Sequence, residues 1–293
     1  MGHRPRSVFL VPGALTLDPG PSTLDPGPSR IGLALGAGGI RGCAHIGVLK
    51  VLVEEGVPIH CVAGASAGAV IGAGFAGGLS PREIEEAFLG LNLGEYLRFY
   101  LDRLRIRRTS AIGRTILDLG GAIRLEELPK PCAIVAVDLY RRERVVLTEG
   151  PAIEAVKAAI AIPFISGPAR LRGRRLYDGG LIDPLPVDLP REMGAEKVIA
   201  VDVGRPFASP PLALLGGALK VVPGLREMGN LLDLMGQATT YSHPVPPDLM
   251  LRPDLQGMGP NSIRRASINR AIAQGEACAR AALPAIRSLA KSD

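Results

Sequence analysis

Three clusters of residues in this chain carry the types and spacing that chemistry needs. Ser66 stands in Gly64-Ala65-Ser66-Ala67-Gly68, after the apolar run Cys61-Val62-Ala63 and before the helix-compatible Ala69-Val70-Ile71. This is the layout of a nucleophile elbow, a sharp strand-to-helix turn that exposes a serine hydroxyl at a helix N-terminus. Small residues on both sides let the backbone pack closely around a strained turn, and the helix dipole favours negative charge developing there. A second cluster, Gly36-Ala37-Gly38-Gly39-Ile40-Arg41-Gly42, follows the apolar run Ile31-Gly32-Leu33-Ala34-Leu35 and precedes Cys43-Ala44-His45-Ile46. A glycine-rich loop between strand and helix offers bare N–H groups, able to hold a phosphate or to form an oxyanion hole. The third is Leu176-Tyr177-Asp178-Gly179-Gly180, an acid at the end of an apolar stretch followed by two permissive glycines.

Taken together and in this order, the three clusters resemble the patatin-like phospholipase family. The resemblance runs from about Ile31 to the C-terminal helix. It implies that Ser66 is the nucleophile and Asp178 its base. It also implies that the loop with Gly38, Gly39 and Arg41 is the oxyanion and substrate-binding element. Ala159-Ile160-Ala161-Ile162-Pro163-Phe164 and Gly180-Leu181-Ile182-Asp183-Pro184-Leu185-Pro186-Val187 look familial too. Ala37 departs from the pattern where a glycine is usual, although a backbone N–H survives a methyl group, and the serine common before Ala-Ile-Pro is absent. The implied chemistry is a Ser-Asp dyad working through an acyl-enzyme, with no metal and no cofactor. A free aspartate, with a pKa of about 3.9, is a weak base, so the site must desolvate Asp178.

A Ser-acid-His triad on an α/β-hydrolase is the competing reading of the elbow. Of the four histidines only His243 follows Ser66, with Asp178 or Asp202 between them, and it stands in the proline-rich Tyr241-Ser242-His243-Pro244-Val245-Pro246-Pro247. His45 reads as a helix residue packing beside the loop. Gly72-Ala73-Gly74-Phe75-Ala76-Gly77 matches a dinucleotide fingerprint in letters only, because it falls inside the helix after Ser66. Residues 61–79 are uncharged and mostly apolar, but Ala and Gly dominate them, as suits a strand, an elbow and a buried helix rather than a membrane span.

The elements that must position these residues alternate between strand and helix. Cys132 to Val137 and Lys197 to Val203 read as buried strands. Ser80-Pro81-Arg82-Glu83 is a capping box with proline at the first helical position. Pro151 opens a further helix, and residues 262–289 read as one closing amphipathic helix. The expected fold is a three-layer α/β domain, a mainly parallel sheet with helices on both faces, over residues 30–293. Residues 1–29 contain the repeat Thr-Leu-Asp-Pro-Gly-Pro at Thr16 and Thr23 and read as a flexible extension.

Composition sets the remaining bounds. The chain has 293 residues, 47% of them hydrophobic, and a mean hydropathy of +0.23, enough for one sizeable domain. Cys43, Cys61, Cys132 and Cys278 lie in apolar contexts and read as buried thiols, which suits the cytoplasm. Net charge is +6, with 28 arginines against six lysines, a bias that genomic base composition accounts for as well as attraction to anionic lipid surfaces does. No basic tract interleaved with aromatics points to nucleic acid. The section between elbow and aspartate includes an insertion in which Leu93, Tyr96, Leu97, Tyr100, Leu101 and Leu104 recur among Arg98, Arg103, Arg105, Arg107 and Arg108. That pattern fits an interfacial membrane helix and equally a surface helix packed on a core. Residues 211–222 form another apolar segment. The expected activity is hydrolysis of lipid carboxylic esters, of phospholipase A or lysophospholipase type. A carboxylesterase or thioesterase for small acyl substrates, and a catalytically weak lipid-binding protein, stand as alternatives.

Overall fold

The computed structural model describes residues 7–9, 29–90, 123–162, 168–204, 246–258 and 264–291. The sheet strands are β1 (Ser7–Phe9), β2 (Ile31–Leu35), β3 (Ile59–Ala65), β4 (Cys132–Asp138), β5 (Glu143–Leu147), β6 (Ala169–Leu171), β7 (Arg174–Asp178), β8 (Lys197–Val201) and β9 (Leu249–Leu251). They run in the order β1-β5-β4-β3-β2-β8-β9, with β7 on β4 and β6 on β7. Pairing is parallel from β4 through β3, β2 and β8 to β9, and between β1 and β5, and antiparallel where β4 meets β5 and β7. The helices are α1 (Ala44–Glu54), α2 (Ala67–Ala76), α3 (Pro81–Leu89), α4 (Ala152–Ala159), α5 (Leu189–Glu192), α6 (Arg265–Ala281) and α7 (Leu283–Ala290).

The alternation inside the strands decides how the layers form. In β2, Ile31, Leu33 and Leu35 join the main core with α1, α2, α3, α4, α6 and α7, whereas Ala34 faces the other side with Leu185, Val187, Val198 and Ala200. Ala63, Ala65, Ala133 and Val135 likewise sit on that second side, against Leu189 of α5. Small side chains there let a thin layer lie directly on the sheet. A Cβ on Gly32 would stand 2.5 Å from Pro190 Cβ and 2.8 Å from Ala195 Cβ. Among the described residues the three layers are therefore unequal, thick with helices on one face and covered by α5 and its flanking chain on the other. On the thick face α1 and α6 cross with backbones in contact at Gly47 and Gly275, and Lys50 joins α1 to Glu85 of α3 and Glu276 of α6.

The capping box forms as its sequence dictates, with Ser80 Oγ accepting from Glu83 N–H and Glu83 accepting from Ser80 N–H. The closing helix, expected to be single, is two, α6 and α7, meeting at Ala282. Pro284 in the first turn of α7 explains the break, since proline has no N–H to give and its ring clashes with the preceding turn. Within the segment read as an extension, Ser7–Phe9 pairs with β5 at the edge of the sheet and Ser29 is buried, its Oγ donating to Lys291 O. Residues 93–108, residues 211–222 and His243 lie outside the described residues. No helix among the described residues is long and apolar enough to cross a membrane.

Candidate active site

β4 brings the serine and the aspartate motifs together. One of its edges is taken by β5. On the other, β3 pairs only as far as Ala65 opposite Val135, where the chain turns away into α2. β7 occupies the vacated edge from the opposite direction and ends with Asp178 opposite Ala136, the next rung. Two strands thus share one edge of β4 end to end, and the residues at their tips meet. Ser66 Oγ donates to Asp178 Oδ2 at 2.7 Å, and both residues are buried.

Each tip is held by its own backbone. Ser66 has φ 51° and ψ −120°, a geometry of tight turns usually given to glycine. The turn closes because its flanks are bare: a Cβ on Gly64 would stand 2.5 Å from the Gly68 carbonyl. Asp178 N–H donates to Ala161 O, and Asp178 Oδ1 accepts from Gly180 N–H at 2.8 Å. Burial pushes the Asp178 carboxyl from 3.8 up to about 6, while the hydrogen bonds from Ser66 and Gly180 pull it back. The result is a carboxylate basic enough to accept a proton near neutral pH.

The glycine-rich loop bridges the two tips. A Cβ on Gly180 would come within 2.9 Å of Ala37 Cβ, one on Gly42 within 2.5 Å of Ala67 Cβ, and one on Gly68 would overlap the Leu35 carbonyl. The loop N–H groups divide by use. Gly36 donates to Val201 O and Ala37 to Pro184 O, whereas among the described residues the Gly38 and Gly39 N–H groups are given to no acceptor. Gly39 has φ 57°, and a Cβ on Gly38 would stand 2.7 Å from Val203 Cγ2.

A sequence profile described as patatin-like phospholipase matches residues 33–191, a span holding all three motifs. The chain belongs to the patatin-like phospholipase family. An uncharacterized NTE family protein of Mycobacterium bovis is 38% identical over 184 residues, covering 62% of this chain and 51% of that protein. Mouse patatin-like phospholipase domain-containing protein 6 is 36% identical over 184 residues, 59% of this chain and 13% of that much longer protein. The chain spans about half the length of the mycobacterial relative. Among solved structures, VipD from Legionella pneumophila superposes with a TM-score of 0.50 at 14% identity, over 89% of this chain and 67% of that one, a likeness of fold.

Within this patatin-like domain, Arg41 is buried and its Nη2 donates to Gly204 O at 2.6 Å, tying the loop to the chain after β8. Its sequence position suggested the loop and not this anchor, which is 163 residues away. His45 is fully buried, and its Nε2 bonds Gly36 O at 2.8 Å. A ring nitrogen facing a carbonyl must carry the proton, which fixes the neutral ring as donor at Nε2. Burial lowers the His45 pKa from 6.5 to about 4, against the raising effects of Gly36 O and the Asp202 charge.

One support of the site has no signature in the sequence. Arg144 of β5 lies between Asp183 (Nε to Oδ2, 3.1 Å) and Asp188 (Nη1 to Oδ2, 2.6 Å). It pins the strap after Asp178, whose Pro184 carbonyl receives the Ala37 N–H. The four cysteines are free thiols, and burial pushes Cys61 and Cys132 up to about 12, far from a reactive thiolate.

Proposed function

We propose that the chain is a serine acyl hydrolase that cleaves carboxylic esters of lipids, of the phospholipase A or lysophospholipase type, through Ser66 and Asp178. The observation that carries this reading is the buried 2.7 Å hydrogen bond between Ser66 Oγ and Asp178 Oδ2, with the carboxyl raised to about 6. Ser66 Oγ attacks the ester carbonyl as its proton passes to Asp178. The tetrahedral oxyanion is met by the N–H groups of Gly38 and Gly39, whose availability supports that role. Loss of one such donor typically costs on the order of 100-fold or more in rate. Asp178 then returns the proton to the departing alcohol oxygen, leaving an acyl ester on Ser66. Water, deprotonated by the same carboxylate, attacks that ester and releases the fatty acid. Arg41 holds the loop to Gly204 through its Nη2.

Incubation of the purified protein with mixed phospholipids, followed by mass spectrometry of released fatty acids and lysolipids, tests the reading. Fatty acid release that disappears in Ser66→Ala supports it. Hydrolysis confined to short soluble esters would instead favour the carboxylesterase or thioesterase alternative.

A further inference from the structure

The two hairpins that flank β4 both end in arginine. β4 and β5 are joined by Leu139-Tyr140-Arg141-Arg142, and β6 and β7 by Arg172-Gly173. β5 and β7 are antiparallel neighbours on opposite edges of β4, with Asp138 opposite both Glu143 and Leu176. Both turns therefore project beyond the C-terminal end of β4, the end at which Ser66 emerges from β3. From Asp178 to Arg174 is four residues of strand, about 13 Å, so the tips stand just ahead of the dyad.

The tips form one surface. The Arg175 guanidinium lies over the Tyr140 ring, 5.3 Å from its centroid, and donates to its hydroxyl at 3.3 Å. Leu139 is 40% and Tyr140 67% exposed, and Arg141, Arg142, Arg170, Arg172 and Arg175 are exposed around them. Carboxylates answer only part of this charge. Glu143 takes Arg174, Glu149 takes Arg172, and the buried Asp138 lies about equally far from Arg141 and Arg174. Arg142, Arg170 and Arg175 face no carboxylate among the described residues. The backbone adds an independent sign. Arg142 and Arg172 have φ 56° and 51°, and Gly173 follows at 74°, so Arg172-Gly173 is a two-residue hairpin turn whose first position suits Asn, Asp or Gly. An arginine there is a local strain that the fold alone does not require.

We propose that these paired tips are the docking surface for a bilayer bearing anionic phospholipid, and that they present the Ser66 site to it. The proposal rests on the lipid-hydrolase reading above. Arginine forks match phosphate oxygens, and exposed Leu and Tyr suit the boundary between headgroups and acyl chains. Free phosphate would use the arginines and leave Leu139 and Tyr140 idle, so a lipid surface fits both halves of the patch.

Flotation of the full chain with vesicles of phosphatidylcholine, with and without phosphatidylglycerol, tests this. Binding is expected to favour the anionic vesicles and to fall as salt rises. Replacing Arg142, Arg170 and Arg175 together by Gln should weaken it by at least about tenfold, the triple Lys variant should keep most of it, and Leu139→Ser with Tyr140→Ser should weaken the part that survives salt. Hydrolysis of a soluble short-chain ester by each of these variants should match the parent, which also reports that they fold. Equal binding of the parent to both vesicle types, or parental binding by the Gln variant, overturns the proposal. Vesicle binding is read without turnover, and Ser66→Ala should bind like the parent. Failure of ester hydrolysis in the parent would therefore count against the hydrolase reading alone.

Discussion

Gly68 lies so close to Leu35 that a Cβ at position 68 would overlap the Leu35 carbonyl oxygen. The first turn of α2 is thereby seated under the point where β2 passes into the glycine-rich loop, and the contact sets the distance between Ser66 and the loop. The closing glycine of the elbow answers to a neighbouring strand as much as to its own turn.

Two glycines of α2 should consequently respond to alanine with opposite signs. Gly68→Ala must drive α2 from β2, at a cost of about 1–3 kcal/mol and with ester hydrolysis falling by roughly 100-fold or more. A Cβ on Gly74 meets only ordinary contacts, the nearest at 3.5 Å from Leu79. Gly74→Ala should stabilise by about 0.5–1 kcal/mol, the helix-interior difference between the two residues, with activity retained. Thermal melts and turnover of both variants check the pair.

Asp178 predicts the pH profile. In the proposed reaction Asp178 works deprotonated, so kcat/KM should rise with pH through about 6, the value to which burial lifts this carboxyl. Stability runs the other way. With a folded pKa above the unfolded 3.8, the native state binds the extra proton between the two values, so this group's contribution falls as pH rises from about 4 to 6. Asp178→Asn should abolish hydrolysis and yet raise the melting temperature at pH 7. A variant that loses stability at pH 7 would show that the carboxylate's bonds outweigh its desolvation.

His45 predicts an acid weakness of opposite sign. Its folded pKa of about 4 lies below the ordinary 6.5. The unfolded chain then binds the proton first, and stability, complete above about 6.5, declines as pH falls toward 4. His45→Gln keeps an N–H for Gly36 O and removes the titration. Chemical denaturation at pH 4.5 and 7 should show a smaller loss in the variant than in the parent.

The Arg144 cluster predicts a cost of isolating charge. Asp183→Ala leaves the buried Arg144 guanidinium without one of its two acids and should destabilise by about 3 kcal/mol or more. Replacing Arg144 by Met and Asp183 by Leu together should recover part of that loss, because the two most deeply buried charges leave together and Asp188, which loses its partner, is 27% exposed to water. Urea unfolding of the three proteins gives the comparison.

What was legible in the sequence is what is local. Strand, glycine loop and helix follow one another at Ile31 and again at Cys61 within a few residues, and the spacing of Gly64, Ser66 and Gly68 carries its own steric meaning. The capping box at Ser80 is equally local. The arrival of β7 on the edge of β4 that β3 leaves free was not legible, because pairing between strands distant in sequence leaves no mark on either. The same holds for Arg41 with Gly204 and for Arg144 with Asp183 and Asp188. Pro284 did mark the break between α6 and α7, but the Ile and Ala stripe runs on through it. The unequal layers were visible in principle, since Gly32 and Ala34 alternate with Leu33 and Leu35 in a run that reads as uniformly apolar.

The most direct test of the central claim is intact-protein mass spectrometry after exposure to a long-chain alkyl fluorophosphonate, which phosphonylates an activated serine. The account predicts one adduct per chain, mapped to the peptide containing Ser66, absent in Ser66→Ala and formed far more slowly in Asp178→Asn. An adduct on another residue, or labelling of Ser66 at the parental rate without the Asp178 carboxylate, would contradict it.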